Sequence, residues 1–318
     1  GLPASTSGAT INRFCASGLQ AVASAAGHEA SGFADVAIGA GVESISMVQP
    51  VVAKTTVPEK RLLKTFTALW MPMIETADIL AKRYDVSRED CDAYALECQK
   101  RTAHAQSSGY YEHEIVPMDT IMTVKDKEKG TSEDIKYTVS KDECNRPSTT
   151  LESLQGLQPV RGEDDPHATV TAGNASQLSD GAAACVVMDG ELAAKRGVEP
   201  LGIFKGYAVA GCAPDEMGIG PVHAVPKLLS RSGLTVDDID LWEINEAFAV
   251  VPLHAMRVLG VDPAKCNVNG GSIAIGPPFG MTGSRMVGHV LLEGQRRKAT
   301  HVVARPPASV PLSTRPDD

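Results

Sequence analysis

Apolar and polar positions divide the chain into three stretches of different texture. Residues 8–47 are rich in Ala, Gly and Ser and almost free of charge. Within them Leu19, Val22, Ala23 and Ala26 recur at the spacing of one helix face, and residues 35–40 (DVAIGA) read as a short buried strand. A helix followed by such a strand suggests an α/β layered unit. Residues 48–168 are polar and charged. There, 76–84 and 88–105 predict amphipathic helices, with Ser87 capping the second and Asp90 standing where a capping box carries Glu. Residues 123–142 (TVKDKEKGTSEDIKYTVSKD) read as a solvated hairpin. From Thr169 the small-residue pattern returns. Residues 181–188 (GAAACVVM) predict a buried strand or helix-to-strand segment, 201–209 a strand, and 240–244 a strand feeding a helix from Asn245. Pro252 should kink that helix or delay it, and a Gly-rich turn over 269–283 opens another. The two small-residue regions flank the polar block as an internal duplication with an insertion would.

Length and composition narrow the class. A chain of 318 residues predicts about two domains, and 43% hydrophobic with 22% charged residues is a soluble globular balance. The net charge of −9 argues against a nucleic-acid surface or a polybasic membrane anchor, a small basic pocket aside. No apolar run reaches the roughly 18 residues that a membrane-spanning helix needs. Seven Cys, an odd number, predict free thiols in a reducing compartment. The chain opens on Gly1, and residues 1–10 lack the charged and apolar regions of a secretory signal, so it reads as a fragment whose start lies upstream.

Four segments could carry chemistry. In Asn12-Arg13-Phe14-Cys15-Ala16-Ser17-Gly18, Cys15 sits where a helix begins, so free N–H groups and the helix dipole would favour its thiolate. The alternative is a small buried thiol filling the core. In Asn245-Glu246-Ala247-Phe248-Ala249, the Asn245 amide either caps a helix or points into a pocket at the end of a strand. The glycines from Asn267 to Gly283 permit close backbone approach to a ligand, or simply tight turns; neither a P-loop nor a GxGxxG fingerprint is present. In Ala172-Gly173-Asn174-Ala175-Ser176, Ser176 either bonds a ligand amide or makes ordinary loop hydrogen bonds. Cys91 and Cys98 share a helix face and should pack together. No Cys pair has zinc-ligand spacing beside a second pair, and no metal site is expected. The eight His, at 28, 104, 113, 167, 223, 254, 289 and 301, do not cluster and read as solvated or satisfied.

Five strings in order, NRFCASGLQA, GAGVESISM, TVTAGNASQLSDGAAA, NEAFA and NVNGGSIAIG…FGMTGSR, resemble the thiolase family from Asn12 to about Gly294. The resemblance implies an α/β fold of two duplicated βαβαβαββ halves in a layered αβαβα core, with a loop domain inserted in the first half. The expected divisions are 1–47 (the rest of the N-terminal half, with the nucleophile helix), 48–168 (loop domain), 169–304 (C-terminal half) and 305–318 (an irregular tail). It implies acyl transfer on acyl-CoA and 3-ketoacyl-CoA, with coenzyme A as substrate or product and no separate cofactor. Cys15 matches the nucleophile that takes the acyl group as a thioester, and Asn245 the residue that holds the water of one oxyanion site. Ser176 matches the pantetheine contact, with Ala172, Ala175 and Leu178 lining the same tunnel. Met217 and Phe248 match apolar positions near the acyl thioester, and Arg146 and Ser153 the CoA nucleotide end. A homodimer or homotetramer is implied, without nucleic acid, in the cytoplasm, mitochondrion or peroxisome.

Three departures bear on catalysis. The family's Gly-His-Pro reads Gly276-Pro277-Pro278, and Pro277 has neither an acid–base group nor an N–H. The late Cys-x-Gly-Gly-Gly turn is replaced by Ala304-Arg305-Pro306-Pro307-Ala308-Ser309 and a Pro-rich tail, which reads as sequence from another frame or an altered splice. The strands that precede the nucleophile in the family are absent. The expectation is therefore an impaired thiolase-type enzyme; the alternative is a non-catalytic CoA- or acyl-CoA-binding protein of the same fold.

Overall fold

The computed structural model describes residues 1–55, 57–126, 130–162, 165, 167–305 and 310–314. A 3-10 turn at Phe14–Ala16 leads into α1 (Ser17–Ala30), β1 (Val36–Glu43), α2 (Ile45–Thr55) and α3 (Lys60–Thr65). After a 3-10 turn at Thr67–Trp70 come α4 (Met73–Arg83), α5 (Arg88–Ser107), β2 (Met118–Asp126), β3 (Thr131–Val139) and α6 (Leu151–Gln155). Next are β4 (Gly181–Met188), α7 (Gly190–Lys195) and β5 (Ile203–Phe204), then a 3-10 segment at Pro214–Ile219 and α8 (Gly220–Ser232). The chain closes with β6 (Leu241–Ile244), α9 (Val250–Leu259), α10 (Ser272–Ile275), α11 (Thr282–Arg297), β7 (His301–Arg305) and β8 (Val310–Ser313).

The core is layered. One sheet runs β5-β8-β7-β6, with β6 and β7 parallel and β8 antiparallel to both its neighbours. Strand side chains alternate between faces, so Trp242, Ile244 and Val303 pack against Val225, Leu228, Ala255 and Met256 of α8 and α9. Leu241, Val302 and Ala304 face the other way, onto Leu19 and Val22 of α1 and Met286, Val287 and Val290 of α11. Cys185 and Val187 of β4 pack on that same cluster. The order is thus helices, sheet, helices, sheet, an α/β arrangement.

Strands β1 and β4 pair antiparallel along their full length, Val36 opposite Met188 to Glu43 opposite Gly181. The division expected at 168/169 falls before β4. The first segment reads as a short buried strand and the second as a buried strand or helix-to-strand segment, yet only one face of each strand is covered. Val36, Ile38, Val42 and Val186 point outward and are exposed. A run of small and β-branched residues is apolar at every position, so it cannot announce which face lacks a neighbour.

Close packing of α1 on α11 requires glycine at two positions. A Cβ at Gly18 would lie 2.7 Å from the Gly280 carbonyl oxygen and from Ser284 N, and one at Gly283 would lie 2.2 Å from Leu19 N. The first turns of the two helices therefore touch backbone to backbone. The polar block packs onto the C-terminal half in a further cluster: Ala77 and Leu80 of α4 and Ala95 and Cys98 of α5 meet Phe248, Val250 and Ile273. Ser87 caps α5 as read, its hydroxyl accepting from Asp90 N at 3.0 Å. Cys91 and Cys98 are both buried in that cluster, and the hairpin expected over 123–142 is formed by β2 pairing with β3, so it begins earlier, at Met118 opposite Val139.

Two readings change. Of 201–209, the strand is Ile203–Phe204, which pairs with β8. The helix expected from Asn245 begins at Val250, because the carbonyl of Ala247 is already taken by Ser176 N at 3.0 Å. Pro252 lies in the first turn of α9, where its missing N–H forfeits no helix bond. Within the stretch expected to be an irregular tail, Val310–Ser313 forms β8; Pro306 to Ser309 and residues 315–318 lie outside the described residues.

Arg305 ends β7 fully buried, and among the described residues its Nε and Nη2 have no hydrogen-bond partner. Burial pulls this guanidinium well below its ordinary pKa. Replacing Arg305→Met removes the unpaired donors and keeps an unbranched side chain. It should raise unfolding free energy by about 1–3 kcal/mol in urea titration; an unchanged or lowered midpoint would contradict the reading.

Candidate active site

The nucleophile candidate is held in a bonded turn. Phe14 takes φ +49°, a backbone region costly for a bulky residue. Side chains stabilise it: Phe14 N donates to Asn12 Oδ1 at 3.0 Å, Arg13 N to Ser17 Oγ at 2.8 Å, and Ser17 Oγ to the Phe14 carbonyl at 2.7 Å. Arg13 Nη1 reaches Gln20 Oε1 and Tyr207 Oη, fixing the turn to the body. The result drives Cys15 inward to 7% exposure while Phe14 stays 75% exposed.

Burial pushes the Cys15 thiol up to about 11; a bond to a backbone amide lowers it in part and the Glu43 carboxylate raises it further. This corrects the expectation of a favoured thiolate. The N–H groups of the helix start act in the expected direction, but desolvation outweighs them. Glu43 is held nearby, its Oε2 accepting from Gly280 N at 3.0 Å.

The Gly-rich turn lies on the other side of these contacts. Pro277 and Pro278 are buried. Gly276 has φ +83°, and a Cβ there would come within 2.3 Å of Ser179 Oγ and 3.3 Å of Cys144 Sγ. Further back in the turn, Ser272 Oγ donates to Asn245 Oδ1 at 2.8 Å. Asn245 is buried at the end of β6, its N–H donating to the Arg305 carbonyl. It caps no helix.

Next to it, Glu246 is fully buried and gathers four donors. Tyr94 Oη lies at 2.6 Å, Cys98 Sγ at 3.1 Å, Asn267 Nδ2 at 2.7 Å and Ile273 N at 3.1 Å. One carboxylate thereby joins α5 to the Gly-rich turn and to the end of β6.

Ser176 meets the same strand end. Its N and Oγ both donate to the Ala247 carbonyl, at 3.0 and 3.1 Å, and Ala249 N donates to the Asn174 carbonyl at 2.9 Å. Ala175 bridges to Phe248. Two carboxylates from the polar block support this loop. Asp78 Oδ1 accepts from Thr169 N and Val170 N, and Asp92 Oδ1 from Asn174 Nδ2 at 2.9 Å. Ala172 and Leu178 are exposed on its outer side.

Met217 is exposed in the 3-10 segment, which Arg83 anchors through Asp215 and Glu216 and Tyr84 through Glu216 at 2.8 Å. Arg146 and Ser153 sit apart on the surface. Arg146 N donates to Gln99 Oε1, and the Ser153 hydroxyl is engaged in a capping box with Thr150. The structure thus brings Ser176, Ala175 and Phe248 together, and Asn245 onto the Gly-rich turn. No hydrogen bond joins Arg146 or Ser153 to that group among the described residues.

Several supporting groups escape sequence reasoning. His289 is satisfied, one of the two states read for it, but its burial and its partner were not foreseen: Nδ1 lies 2.8 Å from Glu114 Oε1. Burial alone would lower it, but the Glu114 and Glu243 carboxylates carry it above its ordinary value. Burial raises Glu243 itself to about 7. Asp78 and Asp92 carried one usable signal, a carboxylate on the otherwise apolar face of a helix. All seven cysteines are free thiols. Among the described residues no group of His, Cys, Asp and Glu could hold a metal ion, and no helix is long and apolar enough to cross a membrane.

The comparisons converge. The family model described as thiolase, N-terminal domain, matches residues 1–191, and that described as thiolase, C-terminal domain, matches 198–306. The chain is 43% identical over 297 residues to a 3-ketoacyl-CoA thiolase of Bacillus subtilis, covering 93% of this chain and 75% of that one. It is 44% identical over 291 residues to the human peroxisomal 3-ketoacyl-CoA thiolase, covering 91% and 66%. With the second peroxisomal enzyme of Arabidopsis thaliana it shares 42% over 305 residues, covering 93% and 63%. The chain therefore spans about two thirds to three quarters of these relatives. Among solved structures, human mitochondrial 3-ketoacyl-CoA thiolase is similar at TM-score 0.84 and 37% identity, covering 98% of this chain and 80% of that one. The dimeric peroxisomal thiolase of Saccharomyces cerevisiae is similar at TM-score 0.86 and 32% identity, covering 98% and 77%.

A thiol raised to about 11 is almost wholly protonated near neutrality. Alkylation of Cys15 by iodoacetamide, followed by peptide mass spectrometry, should be slow near pH 7 and climb about tenfold per pH unit up to pH ~10, in line with the thiolate fraction. A rate that levels off below pH 9 would show an activated thiolate instead.

Proposed function

Because the chain belongs to the thiolase family, whose activity is acyl transfer, we propose that it handles acyl-CoA and 3-ketoacyl-CoA thioesters through Cys15, with coenzyme A as the exchanged partner. In the degradative direction the Cys15 sulfur attacks the 3-keto carbon. The bond between C2 and C3 breaks, its electron pair stays on C2, and protonation there releases acetyl-CoA. The acyl group left on sulfur then passes to the thiol of a second CoA, which gives up its proton and restores the Cys15 thiol. In synthesis an acetyl-CoA carbanion attacks the same thioester. Asn245, fixed by Ser272, would hold the water of an oxyanion site. Ser176 would contact pantetheine beside Ala172, Ala175 and Leu178, with Met217 and Phe248 near the acyl group and Arg146 and Ser153 toward the nucleotide.

One observation carries this reading: a buried cysteine in a strained, fully bonded turn whose helix abuts the Gly-rich turn backbone to backbone. The same observation supports impairment. The thiol is raised and Pro277 supplies no base, and losing a general base costs about 10²- to 10⁴-fold in rate. The seven free thiols and the relatives' peroxisomal and mitochondrial names support a reducing compartment. A homodimer or homotetramer is the proposed assembly, supported by the dimeric yeast relative.

The test is thiolysis of acetoacetyl-CoA by the purified chain. We expect turnover about 10²-fold or more below that of a thiolase carrying the His. Full-rate cleavage abolished by Cys15→Ala would overturn the impairment. The raised thiol and Pro277 also favour a second reading, CoA binding without turnover. Calorimetry with CoA separates the two: heat without thiolysis supports the binder, and the absence of both contradicts the site.

A further inference from the structure

Titratable side chains from three other segments converge on His289 of α11. Glu114, after α5, lies 2.8 Å from Nδ1, and Glu243 of β6 places Oε1 3.8 Å from Nε2. The Tyr111 ring stands 5.4 Å from the imidazole, and Asp142, after β3, and Arg285, one turn earlier on α11, also face it. The polar block, the sheet and α11 thus meet at one buried ring. Among the described residues Glu243 Oε1 has no hydrogen-bond partner.

The Nε2 nitrogen has two neighbours that require opposite states of it. Asn269 Nδ2 lies 3.4 Å away. The Asn269 side chain also bonds the Glu293 carboxylate, so its NH2 group is the end that faces both, and only an Nε2 without a proton can accept from it. Glu243 Oε1 is an acceptor and is satisfied only by a proton between the two. Asn269 opens the Gly-rich turn, and the next two residues have no slack. A Cβ at Gly270 would lie 2.0 Å from Thr102 Oγ1, and one at Gly271 2.5 Å from Glu246 Oε2. Ser272 then donates to Asn245.

From this geometry we propose that His289 is a positioning residue: free of a proton, its Nε2 fastens the Gly-rich turn through Asn269, and a proton shared with Glu243 unfastens it. What this means for Asn245 rests on the acyl-transfer reading; the fastening itself does not. Burial and Arg285 oppose the charged ring, but Glu114 and Glu243 outweigh them and hold His289 above its ordinary value of 6.5. Burial raises Glu243 to about 7. Whether the proton sits on Nε2 or on the carboxyl, it occupies the space between them and keeps Nε2 from accepting from Asn269. A value raised in this way means that the fold as a whole gains from the proton at low pH and loses that gain as pH rises through it. The Asn269 bond is what forms in exchange, so the turn tightens as the pH rises.

Hydrogen exchange of amides 269–273, corrected for the intrinsic pH dependence, tests this without any acyl transfer. From about pH 5 to about pH 9 their protection should rise about twofold to tenfold, the worth of one hydrogen bond. The midpoint should coincide with the His289 titration followed by nitrogen NMR of the labelled ring. His289→Gln cannot titrate and should give a flat profile. Glu243→Gln and Glu114→Gln each remove a charge that favours the proton, so each should lower the midpoint by about one pH unit or more; these two carry the test if His289→Gln fails to fold. Flat protection in the unaltered chain, a rise that persists in His289→Gln, or a midpoint unmoved by both carboxylate variants would each overturn the proposal.

Discussion

The carboxylate of Glu246 is the point on which the candidate site depends. It is fully buried and adjoins Asn245, and its two oxygens accept from a tyrosine and a cysteine of α5, from Asn267 and from the backbone amide of Ile273 in the Gly-rich turn. Removing an ionised group from water is expensive unless donors replace the lost solvation. Here four donors do so, and each comes from an element that has to be in place for the charge to be tolerated. The cost of burying one charge thereby enforces the register of the strand end, the excursion helix and the turn.

The same logic repeats at the edges of the site. Asp78 and Asp92 enter from helices of the polar block and tie down the loop that carries Ser176. The excursion therefore shapes a loop of the α/β core from outside it. On the opposite side no charge is involved. Glycines 18 and 283 let two helix starts meet backbone to backbone, which fixes Cys15 relative to the turn that holds Pro277. Precise placement and poor activation coexist: burial that positions the thiol also withholds its ionisation, and proline offers no group to take its proton.

Local pattern made much of this legible. The two long excursion helices, the Ser87 cap and the polar hairpin follow from periodicity and turn chemistry that need no distant partner. The ordered strings around Cys15, Ser176, Asn245 and Gly276 mark segments that the fold does gather. Tertiary context decides the rest. Asn245 looks like a helix start until Ser176 takes the Ala247 carbonyl. The one-sided burial of β1 and β4 is invisible in runs that are apolar on both faces from Val36 to Val42 and from Gly181 to Met188. The ionisation of Cys15 depends on how much water reaches it, which no spacing records. Nothing local marks Glu246, because its four partners lie roughly 20 to 150 positions away.

Hydrogen exchange on a Glu246→Gln variant tests the central dependence most directly. Glutamine keeps the shape but turns an acceptor into a donor facing donors, so amides around 270–276 and in α5 near Tyr94 and Cys98 should exchange much faster while β1 and β4 keep their protection. Unchanged protection throughout the turn and α5 would show that the carboxylate does not hold these elements together.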